Sequence, residues 1–246
     1  MSNGNLDLIK KTLVIIPAFN EAEIILSVVD RIKKINIDYV VVDDCSYDST
    51  TFLLKENNIN HISNEKNLGL SNSIREGMKY GLKNGYEYCI QFDGDGQHDE
   101  ATIPEMIQKA KESYNIVLTS RFLNSNKKKN PLKSVAWMIF KLLFKTKGKV
   151  KITDPTCGLR MYDKKFMEAY VNFKKFEVEP STILFFCKKM NCSIIEVPTT
   201  IKERQTGESS FKNPVHVVKY MYRQIMRLLF MKSFWKVKEI PSKNSK

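Results

Sequence analysis

Short continuous apolar runs alternate along this chain with segments whose apolar residues recur every three to four positions. Residues 12–16 (TLVII) form such a run, closed by Pro17, and predict a strand buried on both faces of a parallel sheet. Behind it Ile24, Ile25, Val28, Val29 and Ile32 follow helical spacing. A second strand is predicted over 39–42, running into Asp43 and Asp44, and the turn and N-cap residues of 46–50 open a helix that Asn57 and Asn58 stop. A short third strand falls at 59–62 and a helix at 67–82, and Gly85 breaks the pattern before a strand at 86–92. A helix over about 101–114 leads to a strand at 116–119 that ends at Ser120 and Arg121. Strands alternating with helices imply an α/β, doubly wound, mainly parallel sheet, and ligands of such sheets bind beyond the carboxyl ends of the strands.

After Arg121 the pattern changes. Residues 124–130 read as a polar, lysine-rich loop, and 132–144 are apolar nearly all round with Lys133, Lys141 and Lys145 at the edges. We read the latter as an interfacial helix whose lysines snorkel, in preference to a core helix. Residues 154–160 (DPTCGLR) hold too many turn formers for regular structure, 183–186 read as a buried helix face, 194–198 as a strand and 204–210 as a polar loop. Over 214–235 a helix is predicted on which His216, Lys219, Arg223 and Arg227, with Lys212 before them, recur beside Val218, Met221, Ile225 and Leu229. The expected organisation is a catalytic domain over 1–212 that includes an interfacial segment at 131–150. A basic amphipathic membrane-interface helix over 213–235 and a disordered tail over 236–246 follow it.

Composition sharpens the second half. With 42% hydrophobic and 27% charged residues, the 246-residue chain suits one globular domain. No secretory signal and no apolar run of membrane-spanning length are visible, so the expected location is cytoplasmic, peripheral on the inner face of the cell membrane. Five cysteines without a C-x-x-C predict reduced, mostly buried thiols rather than disulfides or zinc. The net charge of +13 is unevenly placed: residues 121–151 carry +10, residues 201–246 carry +8, and the remainder is acidic at about −5. Basic charge interleaved with large apolar side chains favours an anionic membrane surface, and no nucleic-acid motif is present.

The candidate chemistry gathers at strand ends: Asn20 and Glu21, Asp43 and Asp44, Asp93 and Asp95, and Arg121 belong to one crevice. The most telling stretch is 90–98 (IQFDGDGQH). In an extended segment residues i and i+2 point the same way, so Asp93 and Asp95 are predicted to converge. Two close carboxylates call for a cation between them. Mg2+ or Mn2+ suits the need, because such ions take one or two protein carboxylates and complete their shell with water and substrate phosphates. His98 either orients a ligand or caps the next turn. Neither a P-loop nor a dinucleotide fingerprint occurs, and no Ser-His-Asp arrangement can be argued.

The segments VIIPAFNE (14–21), VVDDCSYDST (41–50), NLGLSNSIREGM (67–78), DGDGQHD (93–99), LTSRF (118–122), DPTCGLRMY (154–162) and EVPTTIKERQTGES (196–209) occur in this order. They resemble the family 2 glycosyltransferases of the dolichyl-phosphate mannosyltransferase and bacterial polyprenyl-phosphate glycosyltransferase type. The resemblance implies a GT-A-like fold with C-terminal amphipathic helices. It implies that Pro17, Phe19, Glu21, Val42 and Asp44 hold the nucleoside, Asp93, Gly94 and Asp95 the diphosphate and sugar, and Asp95 with Gln97 the metal, beside Asp93. Arg121 and Arg204 would clamp phosphates, and Asp154 and Cys157 would bind substrate; Arg160, with the basic segments, suits the separate task of holding an acceptor phosphate against charge repulsion. Two departures stand out: Ser210 replaces the usual lysine of G-E-S-K, so that one phosphate contact is missing or is supplied by Lys212, and Cys157 replaces a serine.

The chemistry fits independently. A leaving nucleoside diphosphate needs electrostatic stabilisation, which a divalent ion and arginines provide. A lipid phosphate acceptor is already anionic, so no general base is required, whereas a hydroxyl acceptor normally needs one. The expected activity is metal-dependent, inverting transfer of one sugar from a UDP- or GDP-linked nucleotide-sugar donor to a polyprenyl phosphate acceptor, undecaprenyl phosphate in a bacterium, for cell-envelope glycan modification. Attachment would be peripheral or through a small integral-membrane partner protein. The alternative is a chain-extending glycosyltransferase of surface polysaccharide synthesis, with Glu177 or Glu179 as base and Gln224 to Arg227 in a Q-x-x-R arrangement. A nucleotidyltransferase and a noncatalytic basic binding protein are the more distant readings.

Overall fold

A computed structural model describes residues 3–123, 138–173, 177, 179–202 and 214–229. Its centre is a seven-stranded sheet of order β3-β2-β1-β4-β6-β5-β7. The strands are β1 (Thr12–Ala18), β2 (Asp38–Asp43), β3 (His61–Ser63), β4 (Tyr88–Gln91), β5 (Ile116–Ser120), β6 (Arg160–Asp163) and β7 (Ile194–Pro198). All pairings are parallel except those of β6, which lies antiparallel between β4 and β5. The sequence pattern missed β6: it follows directly on the turn-rich DPTCGLR stretch and holds only four residues. The chain is thus a mainly parallel α/β fold, as the alternation predicts.

The first-half elements form for the predicted reasons. β1 and the end of β2 are buried along their apolar runs, and α2 (Ile25–Lys34) turns Ile25, Val28, Val29 and Ile32 onto the sheet. Helices α3 (Thr50–Glu56), α4 (Leu70–Lys83) and α5 (Ile103–Lys111) occupy the other predicted segments, α5 after a short 3-10 turn at Glu100–Thr102. An N-terminal helix α1 (Asn3–Lys10) and α6 (Lys164–Asn172) were not predicted; the Asp163 side chain caps α6 by accepting the Phe166 N–H at 2.8 Å.

Beyond β5 the chain builds a second layer. Helix α7 (Pro180–Lys189) carries the expected buried face, Ile183, Leu184, Phe185 and Phe186. A helical segment over 138–148, ending in a π turn at Phe144–Gly148, and α8 (Pro214–Leu229) both pack against α7. The interfacial helix expected over 132–144 lies within the described residues only from position 138. Phe140, Leu143 and Phe144 belong to the core, and Met138 and Leu142, 65% and 59% exposed, face outward. What reads as apolar all round is a core face plus an exposed pair. Residues 124–137 and 203–213 and the chain beyond 229 lie outside the described residues.

Candidate active site

The carboxyl ends of β1, β2, β4 and β5 meet along one edge, so the fold brings the predicted polar groups together. β4 pairs with β1, and beyond its last residue the Phe92 N–H still donates to the Ile15 carbonyl and the Gly94 N–H to the Pro17 carbonyl at 3.1 Å. Gly94 is needed there, because a Cβ would stand 2.8 Å from the Pro17 oxygen. This contact seats the acidic turn directly against the PAFNE segment.

β4 ends at Gln91 and residues 94–96 turn, so the two aspartates do not share one extended strand, and they have different partners. Asp93 is held from within: its Oδ1 accepts from the Gln91 amide and its Oδ2 lies 3.1 Å from His98 Nε2. His98 is buried and braces Asp93. Burial works against the Asp93 charge, but His98, Gln91 and the Arg160 charge outweigh it and hold the pKa below the ordinary carboxylate range. Asp95, with Oδ1 accepting the Gln97 N–H at 3.1 Å, is the carboxylate that stands at the turn itself.

Among the described residues no cluster of three or more His, Cys, Asp or Glu side chains could cage a metal ion. The donor set still fits Mg2+ or Mn2+, whose shells are mostly water and phosphate oxygens: Asp95 and Gln97 offer hard oxygen donors in a turn that Gly94 and Gly96 let pack closely on Pro17 and Ile24. Those two residues would hold the ion, with Asp93 behind them.

The nucleoside candidates divide. Phe19 stands 41% exposed at the edge, whereas Pro17 and Val42 are strand residues, with Val42 fully buried in the core. Val42 therefore shapes the sheet, and no side-chain contact with a ligand follows from its position. The Glu21 N–H donates to Thr50 Oγ1. Asp44 accepts from Asn64 Nδ2 and the Leu68 N–H through Oδ1 and from the Gly69 N–H through Oδ2. A carboxylate offers about four acceptor positions, so one remains for a base N–H.

On the far side of the crevice Arg121 forms a two-point pair with buried Asp154, at 2.6 and 2.9 Å, and also donates to Thr156 Oγ1. Burial opposes its charge, but Asp154 overcomes this and keeps it a firmer cation. Arg121 lines a cleft of about 360 Å3 with Asp99, Thr102, Glu105, Ser120 and Thr199. Arg204 lies outside the described residues. Glu196 was missed by sequence reasoning: it accepts the Thr153 and Asp154 N–H groups at 2.6 and 2.7 Å and so fixes the turn that carries Asp154. Burial pushes its pKa up against those two bonds.

Two further substrate-binding candidates are buried. Arg160 is 4% exposed on β6 and donates to the Cys157 and Pro155 carbonyls at 2.7 and 3.1 Å, so it shapes its own loop and lends charge to Asp93. Cys157 is buried with its Sγ 2.9 Å from Thr119 Oγ1, and so faces the interior. Gly158 is where this loop meets the acidic turn, since a Cβ there would collide with Asp93 Oδ2. Of the four described cysteines three are buried, as expected; Cys45 is exposed.

A sheet of this order with a glycine-flanked carboxylate turn at its carboxyl edge defines a GT-A-like glycosyltransferase. The chain belongs to Glycosyl transferase family 2, whose family model matches residues 13–171. It is 30% identical over 238 residues to the uncharacterized protein MJ0544 of Methanocaldococcus jannaschii, covering 89% of this chain and 99% of the relative. It is 30% identical over 241 residues to the UDP-N-acetylglucosamine–dolichyl-phosphate N-acetylglucosaminyltransferase of Methanococcus voltae, covering 88% of this chain and 96% of the relative. The fold matches glucosyl-3-phosphoglycerate synthase of Mycobacterium tuberculosis in complex with Mn2+, UDP and glucosyl-3-phosphoglycerate. The TM-score is 0.63 at 15% identity, over 98% of this chain and 86% of the other.

Proposed function

We propose that this glycosyltransferase moves one sugar from a UDP- or GDP-linked donor to a polyprenyl phosphate, undecaprenyl phosphate in a bacterial host, at the inner membrane face for cell-envelope glycan modification. The observation that carries this reading is the commitment of Glu177 and Glu179, the bases the chain-extending alternative would need. Glu179 accepts from Arg223 at 2.8 Å, from Arg227 at 2.7 Å and from the Gln224 amide, and Glu177 accepts from Arg227 at 2.8 Å. These carboxylates anchor a helix, and an acceptor that arrives as an anion needs no base. The relative from Methanococcus voltae is named for dolichyl phosphate, which supports the same acceptor class.

In this reading a phosphate oxygen of the acceptor attacks the anomeric carbon in line, the bond to the nucleoside diphosphate breaks, and the configuration inverts. A divalent ion, when bound, offsets charge on the leaving diphosphate. Asp95 and Gln97 would hold it, Asp93 keeps their turn in place through His98, and Arg121, fixed by Asp154, would face the departing phosphates; Arg204, outside the described residues, is the second arginine proposed for that role. No helix among the described residues is long and apolar enough to cross a membrane. We assign contact with an anionic membrane surface to exposed Met138, Leu142, Tyr222 and Leu229, together with the exposed Lys145 and Lys219.

The test is incubation with Mg2+ or Mn2+, undecaprenyl phosphate and a panel of UDP- and GDP-sugars, read by thin-layer chromatography and mass spectrometry. A lipid product labile to mild acid is expected. Transfer to a saccharide hydroxyl with none to the lipid would replace this reading with the chain-extending one.

A further inference from the structure

Two aromatic rings stand out at the edge of the crevice where β1 and β2 end side by side. Phe19 is 41% and Tyr47 85% exposed, and their ring centroids are 5.7 Å apart at an interplanar angle of 82°. The loops that carry them are stitched together. The Asp44 N–H donates to the Ala18 carbonyl, the Asn20 N–H to Ser46 Oγ, and the Tyr47 N–H back to Asn20 Oδ1 at 3.0 Å. The Glu21 N–H donates to Thr50 Oγ1 and the Ala22 N–H to Asp48 Oδ2 at 3.1 Å. Asn20 and Cys45 both accept left-handed backbone, at φ 56° and 62°, to make this arrangement. A bonded frame that is partly strained, and that holds an aromatic ring almost wholly in water, is an unusual way to build a merely solvated loop.

In a perpendicular edge contact the two rings form a corner, and Tyr47, 85% exposed, brings its ring surface to it from the solvent side. A planar ligand can stack on one ring while the other closes its edge, and Asp44, with one acceptor position not taken by the described residues, lies in the same pair of loops. We infer that Tyr47 is a wall of the donor's nucleobase site and sets nucleotide affinity together with Phe19. This rests on the nucleotide-sugar reading of the crevice and adds to it a residue that neither the motif nor the resemblance assigns. Stacking tolerates any base, so Tyr47 serves affinity, and discrimination between bases falls to the polar groups beside it.

The experiment is equilibrium binding of UDP and of GDP with Mg2+ to the full chain and to its Tyr47→Ala and Tyr47→Phe variants, with inorganic pyrophosphate as a probe that carries no base. The expected result is a roughly tenfold weaker Kd for the bound nucleotide in Tyr47→Ala, a value within twofold of the parent in Tyr47→Phe, and unchanged pyrophosphate binding. Nucleotide binding by Tyr47→Ala within twofold of the parent overturns the inference and leaves the proposed function standing. Equal weakening of pyrophosphate overturns it too, because the residue would then act through the loop rather than on the base. A parent chain that binds neither nucleotide overturns the nucleotide reading itself and this inference with it.

Discussion

Asp95 and Gly158 illustrate how single residues carry the site. Asp95 is separated from Asp93 by one glycine but not by one function: Asp93 is spent on Gln91 and His98, and Asp95 stands at the turn where an ion would sit. Asp95→Asn keeps the volume and removes the charge, so turnover should fall roughly 100-fold or more while the thermal midpoint stays near that of the parent. EDTA should have the same effect, reversed by Mg2+ or Mn2+, and full turnover in EDTA would exclude the ion. Gly158→Ala acts from the other side of the same carboxylate. Its methyl would enter the space of Asp93 Oδ2, with His98 Nε2 at 3.1 Å, and should cost about 1–3 kcal/mol in urea unfolding as overpacking does, with a loss of activity beyond that of the folded fraction.

At the scale of elements, α8 is held to the catalytic layer by charge as well as by packing. Ile225 packs on the core while Arg223, Gln224 and Arg227 converge on Glu179 at the start of α7. Glu179→Ala would leave the fully buried Gln224 amide without its acceptor, while Arg227 keeps its bonds to Glu177. We expect a loss of roughly 1–3 kcal/mol, seen as a lower denaturant midpoint, and Glu179→Gln should recover part of it. The antiparallel strand β6 gives a pH signature. Tyr162 is fully buried and stacked on Phe166 at 4.1 Å, and burial pushes its phenol up to about 12. Below pH 10 folded and unfolded chains both hold that proton. Between pH 10 and 12 only the folded chain does, so stability falls as pH rises, by about 2–3 kcal/mol from this group. Unfolding curves across pH 9–12 should show the loss, and Tyr162→Phe should reduce it by that amount, the raised phenols of Tyr86, Tyr88 and Tyr170 keeping the rest.

At the scale of the whole molecule, two basic apolar segments far apart in sequence both pack against α7. In the proposed function the surface they expose meets the bilayer. If four of its Lys and Arg side chains approach an anionic surface, at roughly 1 kcal/mol each, about 4 kcal/mol of attraction results, and salt weakens it within a Debye length. Cosedimentation should therefore show binding to anionic vesicles that declines with added salt, and weak binding to neutral ones. Equal binding to both, or none to either, would contradict the assignment.

The periodicity of the chain determined the first half of the fold, because each apolar run there is a strand or helix that buries the face its own spacing defines. It also determined which strand ends carry the polar groups, since the parallel alternation forces them to one edge. Tertiary structure decided what those groups do. The geometry of Asp93 depends on His98, Gln91 and Gly158, and the last comes from a loop that enters only once β6 has inserted antiparallel next to β4. A four-residue strand has too little pattern to announce that insertion. Arg160 reads as an acceptor clamp while its surroundings are unknown, and becomes a brace once the sheet buries it against its own carbonyls. Spacing fixes which residues share a face of an element, but burial and partner are set by what packs against that face from elsewhere in the chain.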